Sequence, residues 1–211
     1  MTSQSPTGTE PTDAYQQAWA AIQNMVMNEG GSWSGRERNH LFLNTGGPRF
    51  ADVSFAAAVD HLDDGRCVVP LDWDDDGRLD LFLKNRTAPR VRLMRNAITG
   101  AGGFITLDLE GVECNRDAIG ARVEVLAGGR TLVRSLRAGE GYLAQGSKRL
   151  HFGLGEAKVA DSLTVLWPDG SSSHFSDVKG NSRYTLIQGG ELERRSPHTV
   201  HSYRELAGQE V

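Results

Sequence analysis

The sequence predicts an all-β protein with one N-terminal helix: a blade-like antiparallel sheet carrying a cation loop, packed with a C-terminal β-sandwich. Three observations lead there. Short apolar runs bounded by Gly, Pro, Asn and Asp recur from His40 to Gln188, which is strand-and-turn patterning. Helical periodicity shows once, near the N-terminus, in Tyr15, Trp19, Ile22 and Val26. The chain also holds 25 glycines among 211 residues, enough to turn many short strands.

Residues 1–12 read as a flexible leader rich in Ser, Thr, Pro, Gly and Gln. The leader has neither a basic region nor an apolar core, so a secretory signal is not expected and the location expected is cytoplasmic. Residues 13–29 form an amphipathic helix, with Asp13 able to cap it, Gln16 three residues on, and Gly30-Gly31 to stop it. Its single apolar stripe predicts docking against a core rather than a binding groove.

Residues 33–99 form the blade-like repeat. Leu41–Asn44, Phe50–Val53, Cys67–Leu71 and Leu79–Lys84 are four expected strands, and Arg90–Arg95 a fifth, exiting one. The run Leu41…Asn44…Phe50 is echoed faintly by Leu93…Asn96…Phe104, a spacing near one propeller blade. Residues 100–190 supply seven more strands: Phe104–Leu109, Ala121–Leu126, Thr131–Leu136, Arg149–Phe152, Ser162–Trp167, Ser172–Phe175 and Tyr184–Gln188. Within them Val123, Val125, Leu163, Val165 and Trp167 fall on one face, and Trp167-Pro168-Asp169-Gly170 reads as a tight hairpin turn. Residues 191–211 are a polar tail, expected to fray beyond Pro197.

Composition excludes some classes. No stretch approaches about 18 consecutive apolar residues, so no membrane span is expected. The pI of about 5.9, with scattered arginines and no interleaved aromatics, argues against a nucleic-acid partner. Cys67 and Cys114 are too few for a disulfide framework and read as buried thiols.

The chemistry concentrates in Asp72-Trp73-Asp74-Asp75-Asp76-Gly77-Arg78-Leu79-Asp80. Five carboxylates and one arginine leave this stretch at −4, the formal net charge of the whole chain. Like charges this dense repel unless a cation sits among them. The spacing D-x-D-x-D-G-x-x-D aims Asp72, Asp74 and Asp76 at one centre, frees the backbone at Gly77, turns the Arg78 carbonyl inward and closes the shell with Asp80. Hard oxygen donors in this number suit Ca²⁺ best, with Mg²⁺ or Mn²⁺ as poorer occupants. The twelfth loop position is Leu83 rather than a bidentate Glu, so an EF-hand is a poor description. Asp63 and Asp64 are extra ligands or solvated turn residues with equal weight.

Signs of catalysis are weaker. There is no G-x-S-x-G elbow, P-loop or H-E-x-x-H. Among the histidines only His198 and His201 have helix-compatible ligand spacing, and a chance pair is the better reading. Gly153-Leu154-Gly155 reads as a turn, and His151 as a strand residue with a satisfied ring. The catalytic candidates are Glu140, Tyr142 and Asp117, with Gln145, Asn115 and Arg116 beside them in two Gly-punctuated loops. Satisfying the backbone of those loops is the favoured role for the group.

These residues resemble two known modules. The acidic loop resembles the FG-GAP or VCBS repeats of integrin α-chain propellers, which bind Ca²⁺ within a blade. The second block resembles the ASPIC and UnbV domain through Asn115-Arg116-Asp117-Ala118-Ile119-Gly120-Ala121, Ala138-Gly139-Glu140-Gly141-Tyr142, His151-Phe152-Gly153-Leu154-Gly155 and Val165-Leu166-Trp167-Pro168-Asp169-Gly170. That family includes cartilage acidic protein and bacterial proteins encoded among enediyne biosynthesis genes. The resemblance implies a β-rich fold and calcium as the ligand; it establishes no reaction, and it leaves an extracellular setting open.

Family proteins carry several such repeats, whereas this chain has one clear Ca²⁺ loop. A lone blade exposes faces and edges, so a protein partner or a homo-oligomer is expected. The function expected is a calcium-binding, non-catalytic β-module that scaffolds or binds a partner, the metal locking the hairpin. The alternative is an enzyme or accessory cyclisation factor of bacterial specialised metabolism, with a small-molecule substrate at the metal site or the Glu140 loop.

Overall fold

A computed structural model describes residues 13–29, 37–86, 88–100 and 102–195. The chain divides into two compact units, one holding the residues up to Gly65 with Asn85–Arg90, the other Arg66–Lys84 with the residues from Val91 onward. The proposed stop at Gly30-Gly31 and the expected fraying beyond Pro197 lie outside the described residues, as do His198 and His201.

In the first unit α1 (Asp13–Met27) opens with Asp13 in its first turn, where a carboxylate suits the helix dipole. None of its residues is buried: Ile22 and Val26 are half-covered, and Trp19 remains 48% exposed. The stripe was expected to dock on a core. Instead Trp19 and Val26 border an open groove of about 590 Å³ that Arg86 also lines. Strands β1 (Phe42–Asn44) and β2 (Phe50–Asp52) pair antiparallel as a sheet of two, with Phe42 opposite Asp52. The segment 85–90 is tied to the same unit: Asn85 Nδ2 donates to Asp63 Oδ2 at 3.0 Å, and the Arg86 amide to the Asp64 carbonyl at 2.8 Å.

The second unit takes most of β3 (Gly65–Leu71) and β4 (Asp80–Asn85), which flank the acidic loop as a strand–loop–strand clasp, and β5 (Val91–Met94). β5 pairs antiparallel with β4, Leu81 opposite Met94, giving a sheet in the order β3-β4-β5. The expected four-stranded blade is therefore split into a pair and a triplet. The cause is that β1 and β2 hydrogen-bond only each other, while the strand expected to exit closes on β4.

The sandwich follows. One sheet runs β11 (Ser172–Lys179), β10 (Val159–Leu166), β7 (Arg122–Ala127) and β8 (Arg130–Ser135), all antiparallel. The other runs β13 (Leu192–Arg195), β12 (Ser182–Ile187), β6 (Gly103–Glu110) and β9 (Leu150–Gly155), in which β6 and β12 are parallel. Alternating side chains from both sheets meet in one core: Val123, Val125, Leu163 and Val165 face Ile105, Leu107, Phe152 and Leu186, all essentially inaccessible. Full burial of each such side chain stabilises by about 1.5–3 kcal/mol, so this core dominates the fold's stability.

Local chemistry matches this plan. The Trp167 amide donates to the Ser171 carbonyl across the expected hairpin turn, and Gly170 takes φ +88°. Two expectations change. Gly153-Leu154-Gly155 is the end of β9 rather than a turn, because Leu154 faces the core while bare glycine backbone lets Gly102 approach Gly155. The tail also begins later than its polarity suggested, since Leu192 packs on the core and β13 pairs with β12. Both cysteines are free and half-buried. Among the described residues no helix is long and apolar enough to cross a membrane.

Candidate metal centre

The loop 72–79 leaves β3 and returns into β4 through two left-handed residues, Asp75 (φ 52°) and Gly77 (φ 84°). Glycine adopts this conformation freely; for Asp75 it is strained, and Asp is among the residues that tolerate it best. The two reversals fold the acidic segment back on itself. One carboxylate oxygen from each of Asp72, Asp74 and Asp76 then lies within 4.8 Å of the others.

Backbone amides hold these side chains in place. Asp72 accepts from the Asp76 and Gly77 amides, both at 3.0 Å, and Asp76 Oδ1 accepts from the Arg78 amide at 2.9 Å. Asp74 is different: its Oδ2 accepts from Arg95 Nε at 2.8 Å, while its Oδ1 is buried with no hydrogen-bond partner. A buried carboxylate oxygen costs free energy unless something satisfies it. A divalent ion fits that need.

The electrostatics agree. Burial, reinforced by the charges of Asp75 and Asp76, pushes the Asp72 carboxyl up to about 6 against the opposing Gly77 and Asp76 amides. Arg78 pairs with Asp76, Arg95 with Asp74, and Arg149 with Asp75 at 3.2 Å. Five carboxylates faced by three guanidiniums leave two negative charges, the charge of one divalent cation.

Two further sequence candidates make contacts of their own. Asp80 is 1% exposed, with Oδ2 accepting from the Trp73 amide at 3.0 Å and Oδ1 from the Asn96 amide at 2.6 Å. It cross-braces the loop to the segment after β5, and it stands outside the converging trio. Arg78, whose carbonyl is the expected ligand, also pairs through its guanidinium with Asp76 and donates from Nε to the Asn96 carbonyl at 2.9 Å. Asp63 lies in the first unit and accepts from Asn85; Asp64, 3% exposed, lies in that unit too.

Sequence reasoning missed the seat of the loop. Gly77 lies against Phe104 of β6, where an added Cβ would come within 2.0 Å of the ring. The Gly77 carbonyl accepts from His151 Nε2 of β9 at 3.0 Å, and His151 stacks on Phe104 at 5.9 Å between centroids. This satisfies the His151 ring, as expected. Burial draws its pKa down, opposed by the Gly77 carbonyl and assisted by Arg134. Arg149 reaches both Asp75 and Asp108, and Arg183 donates to Asp108 at 2.9 Å, so charges alternate from loop to sheet. A period-two reading puts Phe104, Thr106 and Asp108 on the outer face of β6, but sequence carries no signal that this face is covered.

The catalytic candidates are not brought together. Asp117 is paired with Lys148. Tyr142 is 68% exposed. Glu140 and Gln145 line a cavity of about 50 Å³ that neither Asp117 nor Tyr142 reaches. That volume suits one or two waters; pockets for small molecules run to about 300–1,000 Å³. Asn115 spends its amide on the backbone of Ile119, accepting and donating at 2.8 Å, and Arg116 pairs with Glu110. Gln188 was not anticipated at all. Its carbonyl accepts from the Val112 and Glu113 amides, while its amide donates to Asp169 and Ser171, pinning two loops at one end of the sandwich.

Residues 111–193 match the family model described as ASPIC and UnbV. The match runs from the end of β6 into β13, so it covers the greater part of the sandwich, and the acidic loop lies outside it. No curated protein matches the chain.

Proposed function

We propose that this chain is a calcium-binding, non-catalytic β-module in which a divalent ion locks the hairpin between β3 and β4, making a rigid scaffold for a partner. The observation that carries the reading is the buried, unpartnered Oδ1 of Asp74 within a trio of converging carboxylates. Asp72, Asp74 and Asp76 would hold the ion, and the loop would be of the FG-GAP or VCBS kind. The ion's contribution is charge: it offsets the burial and the neighbouring carboxylate charges that together push the Asp72 carboxyl upward. The protein contributes the rest, the amides that orient Asp72 and Asp76 and the Asp80 brace that closes the loop.

The partner half of the proposal rests on exposed apolar groups in the first unit. Phe55 is 87% exposed, Phe50 64% and Phe42 58%, more large apolar surface than a short two-stranded sheet needs for itself. A protein partner or a second copy of the chain would cover it.

The test is metal analysis of the purified protein, followed by melting with and without chelator. Bound calcium near one per chain, and a melting temperature that rises with calcium, support the reading. Unchanged melting in Asp72→Ala and Asp76→Ala relative to wild type, calcium increment included, would remove the proposed ligands.

A further inference from the structure

We infer that the outer face of the sandwich sheet, through Phe104, Arg149 and His151, is a positioning seat that sets how tightly the acidic loop holds a divalent ion. This rests on the calcium reading above and goes beyond it, because none of the three residues offers an oxygen to the ion.

Two loop residues outside the converging trio carry the inference. Asp75 is a carboxylate that does not join Asp72, Asp74 and Asp76; its side chain goes to Arg149. Gly77 has no side chain, and its carbonyl and its bare Cα go to His151 and Phe104. These are also the two left-handed residues of the loop, the ones whose backbone turns the trio inward. The conformation that aims the ligands is therefore gripped from outside, at the positions where the chain reverses.

The seat itself is fixed. Phe104 and His151 lie nearly parallel, 6° between ring planes, on neighbouring strands. Arg149 is held by Asp108, which Arg183 holds in turn. A loop pre-shaped on a rigid support loses less freedom when an ion arrives, so the seat raises affinity without touching the ion. Coupling of this kind is reciprocal: the ion must strengthen the seat as much as the seat strengthens ion binding.

The sign of one substitution separates this from simple electrostatics. Arg149 is a cation beside an anionic loop. By charge alone, removing it should tighten binding of a divalent cation. By the seat, removing it releases Asp75 and weakens binding, by about fivefold for a partly buried pair. Arg95, which pairs with Asp74 Oδ2 and does not hold the loop's reversals, is the contrast: Arg95→Met removes a competing cation beside a ligand and should tighten binding.

The experiment titrates calcium chloride into chelator-stripped full-length wild type, Arg149→Met, Phe104→Leu and Arg95→Met, by calorimetry, with circular dichroism to confirm folding. Weaker binding in Arg149→Met and Phe104→Leu, with tighter binding in Arg95→Met, is the expected result. Equal or tighter binding in Arg149→Met overturns the seat and leaves the calcium reading standing. No binding by wild type overturns both, and so tells the two failures apart. If neither seat variant folds, hydrogen exchange on wild type decides: calcium must increase protection at 104–108 and 149–153, and unchanged protection there overturns the inference.

Discussion

Replacing Asp74 with asparagine separates the metal from the fold. The substitution keeps the side chain's size and removes one charge. What the calcium-free structure loses is the ion pair with Arg95, whose side chain is 62% exposed; a pair so open to water is worth about 0–1 kcal/mol. The other oxygen has no partner to lose, and removing charge from a crowded anionic loop recovers part of that small loss. Stripped of metal, Asp74→Asn should therefore melt within about 2 °C of wild type. With calcium the two must diverge. At 10 mM ion and a dissociation constant of about 10⁻⁴ to 10⁻³ M, wild type gains about 1.4–2.7 kcal/mol. For a chain of this length that is a rise of roughly 3–11 °C. The variant should show only about 40–65% of the increment, as about 1 kcal/mol of lost ligand charge weakens the site about fivefold. Differential scanning fluorimetry in calcium and in chelator measures both differences. An Asp74→Asn protein that keeps the full increment would refute the argument that this oxygen is reserved for an ion.

Three further outcomes follow from the same geometry. Gly77→Ala sets a Cβ 2.0 Å from Phe104 and strains a φ of +84°, so urea unfolding should show a loss of about 2 kcal/mol or more. His151 has a folded-state pKa below its unfolded value, so the unfolded chain takes up the proton first; its contribution is present above about pH 6.5 and is lost as pH falls from there toward the folded value. His151→Gln should lose less stability than wild type between pH 7 and 5 in parallel melts. Phe152→Ala empties a position 1% exposed at the centre of the sandwich and should cost about 3–5 kcal/mol by chemical denaturation, with calcium affinity of the folded protein unchanged.

The local pattern of the chain made most of the strands legible. Val123, Val125, Leu163 and Val165 alternate with polar residues, and each faces the core as that alternation demands. Asp72, Asp74 and Asp76 were legible because their convergence depends on a short loop whose glycine declares its geometry. What escaped depends on contacts distant in sequence. β12 lies parallel to β6, 77 residues away from Ser182 to Ile105, and no hairpin signal announces such a pairing. Asp80 also accepts from the Asn96 amide sixteen residues on, a contact that its place in the spacing does not announce. The α1 stripe has the right period yet none of its residues is buried, because period reports which residues share a face and not what the face meets. The seat on Phe104, Arg149 and His151 was invisible for the same reason.

The most direct measurement is a crystal structure of the full chain grown in abundant calcium, with anomalous scattering data collected to identify the ion. One strong anomalous peak at bonding distance from Asp74 Oδ1, with Asp72 and Asp76 oxygens in the same shell, is the expected result. Only water among those three carboxylates would contradict it.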